Sequence, residues 1–424
     1  MSHGTARPVL VVTVLVSVLV IALAACGTTP SRADRHDPVT TAAAATTPTT
    51  TATSVAGPAA SLVLCLQRLG LARDVDPTLP TVELRSALRR ELASRPTRTA
   101  AETCLLRSRA QDGDRSSSGD GTGSRARAET SATVPVFEGD FADPFVLQVG
   151  ASFYAYATNT PLANVPFGVA QIGHHTRLDG DALPVLPAWT EPGHVWAPAV
   201  AANGDGYRLY YTTRDRASGR QCISVASATS PAGPFHDAST APLVCQLGLG
   251  GSIDPSPIDV GGTHYLVWKN DGNCCNIPTR IWVAPLAPDG MSLAGPATAL
   301  LGADQSWEHG LVEGPSMIED HGRFYLFYSA NAWDTSHYAM GYAVCDTVTG
   351  PCHEPHDGPW LATQGDLAGP GGGSAFRTSR GGTYLVFAAW SSNAVGYDHG
   401  GSRQLYVRTL QFTNGVPKLG GADR

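Results

Sequence analysis

Three carboxyl residues share a setting: Asp143 in "DFADPFVL", Asp254 in "SIDPSPI" and Glu313 in "LVEGPSMI". Each is followed within two residues by Pro, and then by a run of the β-branched and aromatic types that favour strands. Asp before Pro is a common turn starter, so either Asp taken alone reads as a turn residue. Glu313 is harder to explain locally, because no helix follows that it would cap. The recurrence of carboxyls in one repeated setting favours chemistry. If the three converge on one narrow mouth they repel one another and lose water, which raises the pKa of at least one and keeps it protonated near neutral pH. A protonated carboxyl opposite an ionised one provides a general acid and a general base, the pair needed to hydrolyse a glycosidic bond.

Convergence requires a fold that brings distant segments together, and the sequence repeats in a way that predicts one. Five segments share a design: "DFADPFVLQVGASFYAYAT", "HVWAPAVAANGDGYRLYYTTR", "GSIDPSPIDVGGTHYLVWKND", "GLVEGPSMIEDHGRFYLFYSA" and "GPGGGSAFRTSRGGTYLVFAAW". Each has a short strand, a Gly turn and a second strand rich in Tyr, Phe and Val. Pro144, Pro198, Pro255 and Pro315 recur with a period of about 54 to 60 residues, which points to radial repetition of a multi-stranded unit. Further strand patterns such as "QCISVASATSPAGPF", "TRIWVAPLAPDG" and "YAMGYAVCDTVTGPC" fit between them. Four strands per unit over five units predict an all-β, five-bladed β-propeller over residues 134–424. A β-sandwich of similar length would not produce five openings of matching design. The innermost strand of each blade would line the central channel, where Asp143, Asp254 and Glu313 would meet.

The segment from about residue 134 to 418 resembles glycoside hydrolase family 43, five-bladed propellers that act on arabinose- and xylose-containing glycans. The resemblance rests on the order Asp, Asp, Glu in "DFADPFVL", "SIDPSPI" followed by "YLVWK", and "VEGPSMI" followed by "GRFYLFYSA", supported by "WAPAV" and the closing "GGSRQLYVRTLQFTNGVPKL". It implies that Asp143 is the general base, Glu313 the general acid and Asp254 the residue that raises the pKa of Glu313 and orients it. It further implies inversion in a single displacement, with base and acid roughly 6.5 to 9.5 Å apart to admit a water. Substrate contacts are expected from Trp196 by stacking on a sugar face, from Lys269 in "VWKND" and from Arg403, which resembles a late Arg of the family. Trp307, Trp333 and Tyr338 lie near Glu313 in sequence and are candidates for the rim. Many family members carry a His in a "GPGH" segment of blade five that holds a metal ion or water. Here the segment is "GPGGGSAF", so no calcium or other cofactor is assigned, with His309 and His399 as remote substitutes.

The remaining sequence suggests an exported protein. Arg7, an apolar run from Val9 to Ala25 and the small residues of "LAAC" before Cys26 have the layout of an export signal. They resemble the lipobox of bacterial lipoproteins, with cleavage before Cys26 and lipid on its sulfur. An uncleaved anchor is the alternative, and either places the rest outside the cytoplasm, tethered to the membrane. Residues 27–57 are a Thr/Ala/Pro-rich linker. Residues 58–110 show helical spacing and are expected to form a small α-helical module, and residues 111–133 a second flexible linker. If Cys26 carries lipid, eight of the nine Cys remain, an even number suited to an oxidising compartment. Proximity pairs Cys65 with Cys104, Cys222 with Cys245 and Cys345 with Cys352, leaving the neighbours Cys274 and Cys275 either bonded to each other or as free thiols. The net charge of −7 carries no basic footprint, so nucleic acid is excluded as a partner and a polysaccharide, with cell-wall arabinan among the candidates, is expected. The expected function is a membrane-tethered, inverting arabinofuranosidase, arabinanase or xylosidase, or else a propeller that binds glycans without turnover.

Overall fold

The computed structural model describes residues 135–420, apart from 138, 172–176 and 205. The export signal with Cys26, both linkers and the expected helical module with Cys65 and Cys104 lie outside the described residues.

The described chain folds into five antiparallel sheets arranged in sequence order. Blade one contains β1 (Phe145–Val149), β2 (Ser152–Tyr156), β3 (Pro166–Gln171) and β4 (Arg177–Asp181). Blade two contains β5 (Thr190–Asn203), β6 (Gly206–Asp215) and β7 (Gln221–Ala228). Blade three contains β8 (Ser252–Val260), β9 (Thr263–Asn270), β10 (Arg280–Pro285) and β11 (Thr298–Gly302). Blade four contains β12 (Val312–Asp320), β13 (Arg323–Ala330), β14 (Ala339–Cys345) and β15 (Cys352–His353). Blade five contains β16 (Leu367–Arg377), β17 (Thr383–Ser391), β18 (Gln404–Thr413) and β19 (Val416–Leu419).

Blade two departs from the four strands expected of each unit. Its outer edge is made by single bridges, Ile223 to Val244 and Ser227 to His236. The segment between them carries Pro231, Pro234 and Pro242, which cannot donate to a ladder. The Cys222–Cys245 disulfide ties this edge down, and Cys345–Cys352 does the same in blade four.

The Tyr, Phe and Val runs are apolar at successive positions because middle strands are buried on both faces. Leu266 and Trp268 pack toward blade two, whereas Val267 between them packs toward blade four. Likewise Tyr210 joins the core shared with blade three and Tyr211 the core shared with blade one. Two further cores join blade four to five and blade five to one, so apolar contact is continuous around the ring. Replacing the fully buried Leu326 by Ala would leave a cavity costing about 2–5 kcal/mol.

Closure brings the two ends of the domain together. Innermost strands touch in cyclic order, β1 to β5, β5 to β8, β8 to β12, β12 to β16 and β16 back to β1. The segment before β1 bonds to β18 and the residue just before it, through Val136 N–H and Phe141 N–H to the carbonyls of Leu405 and Arg403, both at 2.8 Å. Arg403 is thereby brought beside Asp143.

Candidate active site

All five innermost segments place a residue in the left-handed region at the matching point: Asp143 (φ 50°), Ala197 (φ 43°), Asp254 (φ 58°), Gly314 (φ 55°) and Gly372 (φ 59°). The strand register breaks at this point in β5, β8, β12 and β16, turning side chains toward the channel. Asp tolerates this conformation better than most residues and Gly adopts it freely, which accounts for the "DP" and "GP" pairs. Asp143 and Asp254 occupy the left-handed position itself. Glu313 sits one residue earlier, at the register of Trp196, so the three carboxyls come from two registers rather than the single position suggested by sequence.

Asp143 is held on both oxygens. The Thr158 hydroxyl donates to Oδ2 at 2.6 Å, and Arg403 Nη1 reaches Oδ1 at 3.1 Å. Arg403 is fixed in turn: its guanidinium lies 4.8 Å from the ring centroid of Trp333, and its backbone N–H donates to Asp140 at 3.0 Å. The Tyr397 hydroxyl also donates to Asp140, at 3.0 Å.

Glu313 is buried, with 8% of its surface exposed. Lys269 Nζ lies 2.9 Å from Oε2, and the Tyr338 hydroxyl donates to Oε1 at 2.8 Å. Burial, reinforced by the charge of Glu313, pushes the Tyr338 phenol well above its ordinary range, so it remains a neutral donor. Asp254 Oδ2 accepts the Gly314 N–H at 2.9 Å. Burial first, and then the charge of Glu313, push the Asp254 carboxyl up to about 7, against the opposing pull of Lys269. Asp254 is therefore a strongly raised carboxyl of the trio. The proton of such a cluster belongs to the interacting groups together.

These residues open onto a cleft of about 510 Å³ whose walls include Asp143, Trp196, Asp254, Glu313, Trp333 and Arg403. Tyr338 and Cys274 also face it, and Cys274 is bonded to Cys275. Lys269 does not line the cleft as a sugar contact would. It is fully buried, which corrects the expectation that it binds substrate. Trp307 packs against Tyr328 at 6.0 Å and donates to Gln305, outside the cleft lining. His309 and His399 also lie outside that lining. Sequence reasoning missed Thr158, Asp140 and Tyr397. Only Asp140, three residues before Asp143 in "DFAD", carried a visible hint.

The triglycine of blade five has no room for a metal-holding side chain. A Cβ on Gly371 would lie 2.1 Å from the Tyr338 ring, one on Gly372 2.5 Å from Asp143 Oδ1, and one on Gly373 2.7 Å from Met340. The family's His-held ion therefore does not fit the residues present. Among the described residues, the carboxylate group able to gather a cation is Asp304, Glu308 and Glu354, which is not part of the cleft wall.

A closed ring of five blades, with paired carboxylates and an aromatic wall in its mouth, defines the propeller class of glycoside hydrolases. The family profile described as glycosyl hydrolases family 43 matches residues 132–417, so the chain belongs to that family and is a glycoside hydrolase. It is 26% identical over 302 residues to the β-D-galactofuranosidase xynD of Aspergillus niger, spanning 64% of this chain and 80% of that protein. It is 25% identical over 215 residues to an extracellular exo-α-(1→5)-L-arabinofuranosidase of Streptomyces avermitilis, spanning 47% of this chain and 43% of that one. Among solved structures, a thermostable family-43 glycoside hydrolase superposes with a TM-score of 0.61 at 28% identity, covering 69% of this chain and 97% of that one.

Proposed function

We propose that this protein is an exported, membrane-tethered hydrolase that releases arabinofuranosyl units from arabinose-containing polysaccharide with inversion of configuration. The observation that carries the reading is the division of labour in the cleft. Asp143 is held by a hydroxyl and a guanidinium, while Glu313 projects from another blade on a longer side chain. Asp143 takes a proton from the attacking water, and Glu313 gives one to the departing sugar oxygen. Asp254, joined to the Glu313 segment through the Gly314 N–H, keeps a proton within the cluster up to about pH 7. The mechanism calls for a base-to-acid separation of roughly 6.5 to 9.5 Å, leaving space for one water. Two relatives named above act on furanosides, which supports a furanose ring over a xylopyranose.

Tethering is supported by the "LAAC" sequence at Cys26, and an oxidising compartment by the three disulfides of the described propeller. Replacing Cys26 by Ala is expected to move the protein from the membrane fraction to the soluble one, and retention in the membrane would support the uncleaved anchor. The catalytic reading is tested by incubating the protein with arabinan, arabinogalactan, xylan and aryl arabino- and galactofuranosides while following the released anomer by proton NMR. An inverted arabinofuranose product, lost in Glu313→Ala, is expected. A retained configuration, or undiminished turnover in that variant, would overturn the mechanism, and binding without turnover would return the chain to the glycan-binding alternative.

A further inference from the structure

Where the second strand of a blade meets the innermost strand at the channel, blades two and four place a hydroxyl residue, whereas blade five places Ala388 and blade three a charged one. Opposite Trp196 in blade two is Thr212, and opposite Glu313 in blade four is Ser329. Each of these hydroxyls accepts the left-handed residue's N–H from the next blade, Thr212 from Asp254 at 3.0 Å and Ser329 from Gly372 at 2.9 Å. Thr158 in blade one does the same for Ala197 at 3.0 Å. Opposite Ile253 in blade three the residue is Lys269, which has three donors and no acceptor.

That exchange has two consequences. The Gly314 N–H, lacking a hydroxyl partner, turns to Asp254 Oδ2 and links the two carboxyl segments. The ammonium, with no exposed surface and anchored by Asn273 Oδ1 at 2.8 Å, lies directly on Glu313 Oε2. The other oxygen, Oε1, receives the Tyr338 hydroxyl, whose ring fits against Gly371 because that residue has no Cβ.

We propose that Lys269 and Tyr338 are positioning residues that clamp Glu313 by its two oxygens and assign them different tasks. An ammonium has no lone pair to receive a proton, so Oε2 is the fixed oxygen. A phenol hydroxyl turns about its C–O bond, so Oε1 is the oxygen that carries the proton and hands it to the leaving group. This inference rests on the assignment of Glu313 as general acid. The groups facing Glu313 are Lys269, Tyr338, Asp254, Asp143 and Asp271, so the charge removed by altering Lys269 is the one cation in direct contact with it among the described residues.

The test is the pH profile of kcat for the full-length protein on an aryl arabinofuranoside. Glu313 must be protonated to act, and Lys269 pulls against that proton. Lys269→Met is therefore expected to move the alkaline limb upward by about one to three pH units, the usual effect of one adjacent charge, with kcat reduced at the optimum and KM nearly unchanged. Tyr338→Phe keeps the ring in its hollow and removes one bond to the ionised oxygen, so its limb moves the same way by less. An unmoved limb in both variants, or a rise in KM with unchanged kcat, would overturn the clamp. If Lys269→Met does not fold, Tyr338→Phe decides the matter alone by the same criteria. Inverting hydrolysis by the wild type with loss in Glu313→Ala, alongside unmoved limbs, would sink the clamp and leave the function standing.

Discussion

The propeller holds two carboxyl trios, and each has a tyrosine hydroxyl among its charges. One is Asp143, Asp254 and Glu313 with Tyr338, and the other is Asp304, Glu308 and Glu354 with Tyr328. Each contains one carboxyl pushed up to about 7, Asp254 and Glu354, in both cases by burial first. In the second trio Tyr328 has hydrogen bonds to both Glu308 and Glu354, and its single hydroxyl hydrogen serves both fully only if one of the two carboxyls carries a proton of its own. The second trio does not line the cleft described above, and no Lys or Arg ion pair is seen with it among the described residues. Glu308 spends Oε2 on the backbone N–H groups of Asp304 and Gln305, shaping the turn before β12. A raised pKa thus marks crowded burial in both places. The cleft, and the two cations that keep Asp143 and Glu313 apart in role, separate a site of chemistry from a structural knot.

The largest expected difference between the trios is in turnover. Glu313→Ala should reduce kcat by about 10²- to 10⁴-fold, the span attributable to a positioned acid, whereas Glu354→Gln should leave kcat near that of the wild type. A comparable loss from Glu354→Gln in a steady-state assay would break the comparison. Next in size is Gly372→Ala. Its Cβ falls 2.5 Å from Asp143 Oδ1 and its backbone is left-handed, so the base must shift, and a loss of about 100-fold in kcat is expected.

The pH dependence of stability should show what the trios share. Asp254 is raised from 3.8 to about 7 and Glu354 from 4.5 to about 7, so folding takes up protons at both. The stabilisation from each is complete below its unfolded pKa and is lost as pH rises through about 7. Thermal melts should therefore decline over this window, less steeply in Asp254→Asn and in Glu354→Gln, while only the former alters the pH profile of kcat. A smaller effect is expected at the aromatics: Trp196→Ala should raise KM several-fold, and Trp307→Ala should lower the melting temperature with KM unchanged. The smallest effect expected is that of a chelator on initial rates, which should be none, because blade five offers no side chain to hold an ion beside Asp143.

Much of the fold was legible because it is encoded locally. Strand-forming runs, Gly turns and a proline-marked opening repeat five times, and each is a statement about neighbouring residues. The three carboxyls were legible for the same reason, since their contexts repeat. The stagger of Glu313 was hidden because "EGP" and "DP" look alike until the backbone shows that Gly314, and not Glu313, takes the left-handed position. Lys269 was noticed for its rarity and given the wrong task, because sequence does not show that its strand face is covered by the next blade.

The sequence alone determined that this chain builds five β units and which residue types stand at their mouths, because strand preference and side-chain alternation act between residues close in the chain. The tertiary structure decided which groups meet. Arg403 reaches Asp143 across 260 residues because the ring closes, and Lys269 reaches Glu313 across 44 because neighbouring blades pack face to face. Charge, burial and hydrogen bonding depend on distance in space, so the roles within the cleft emerged only when the ring was closed.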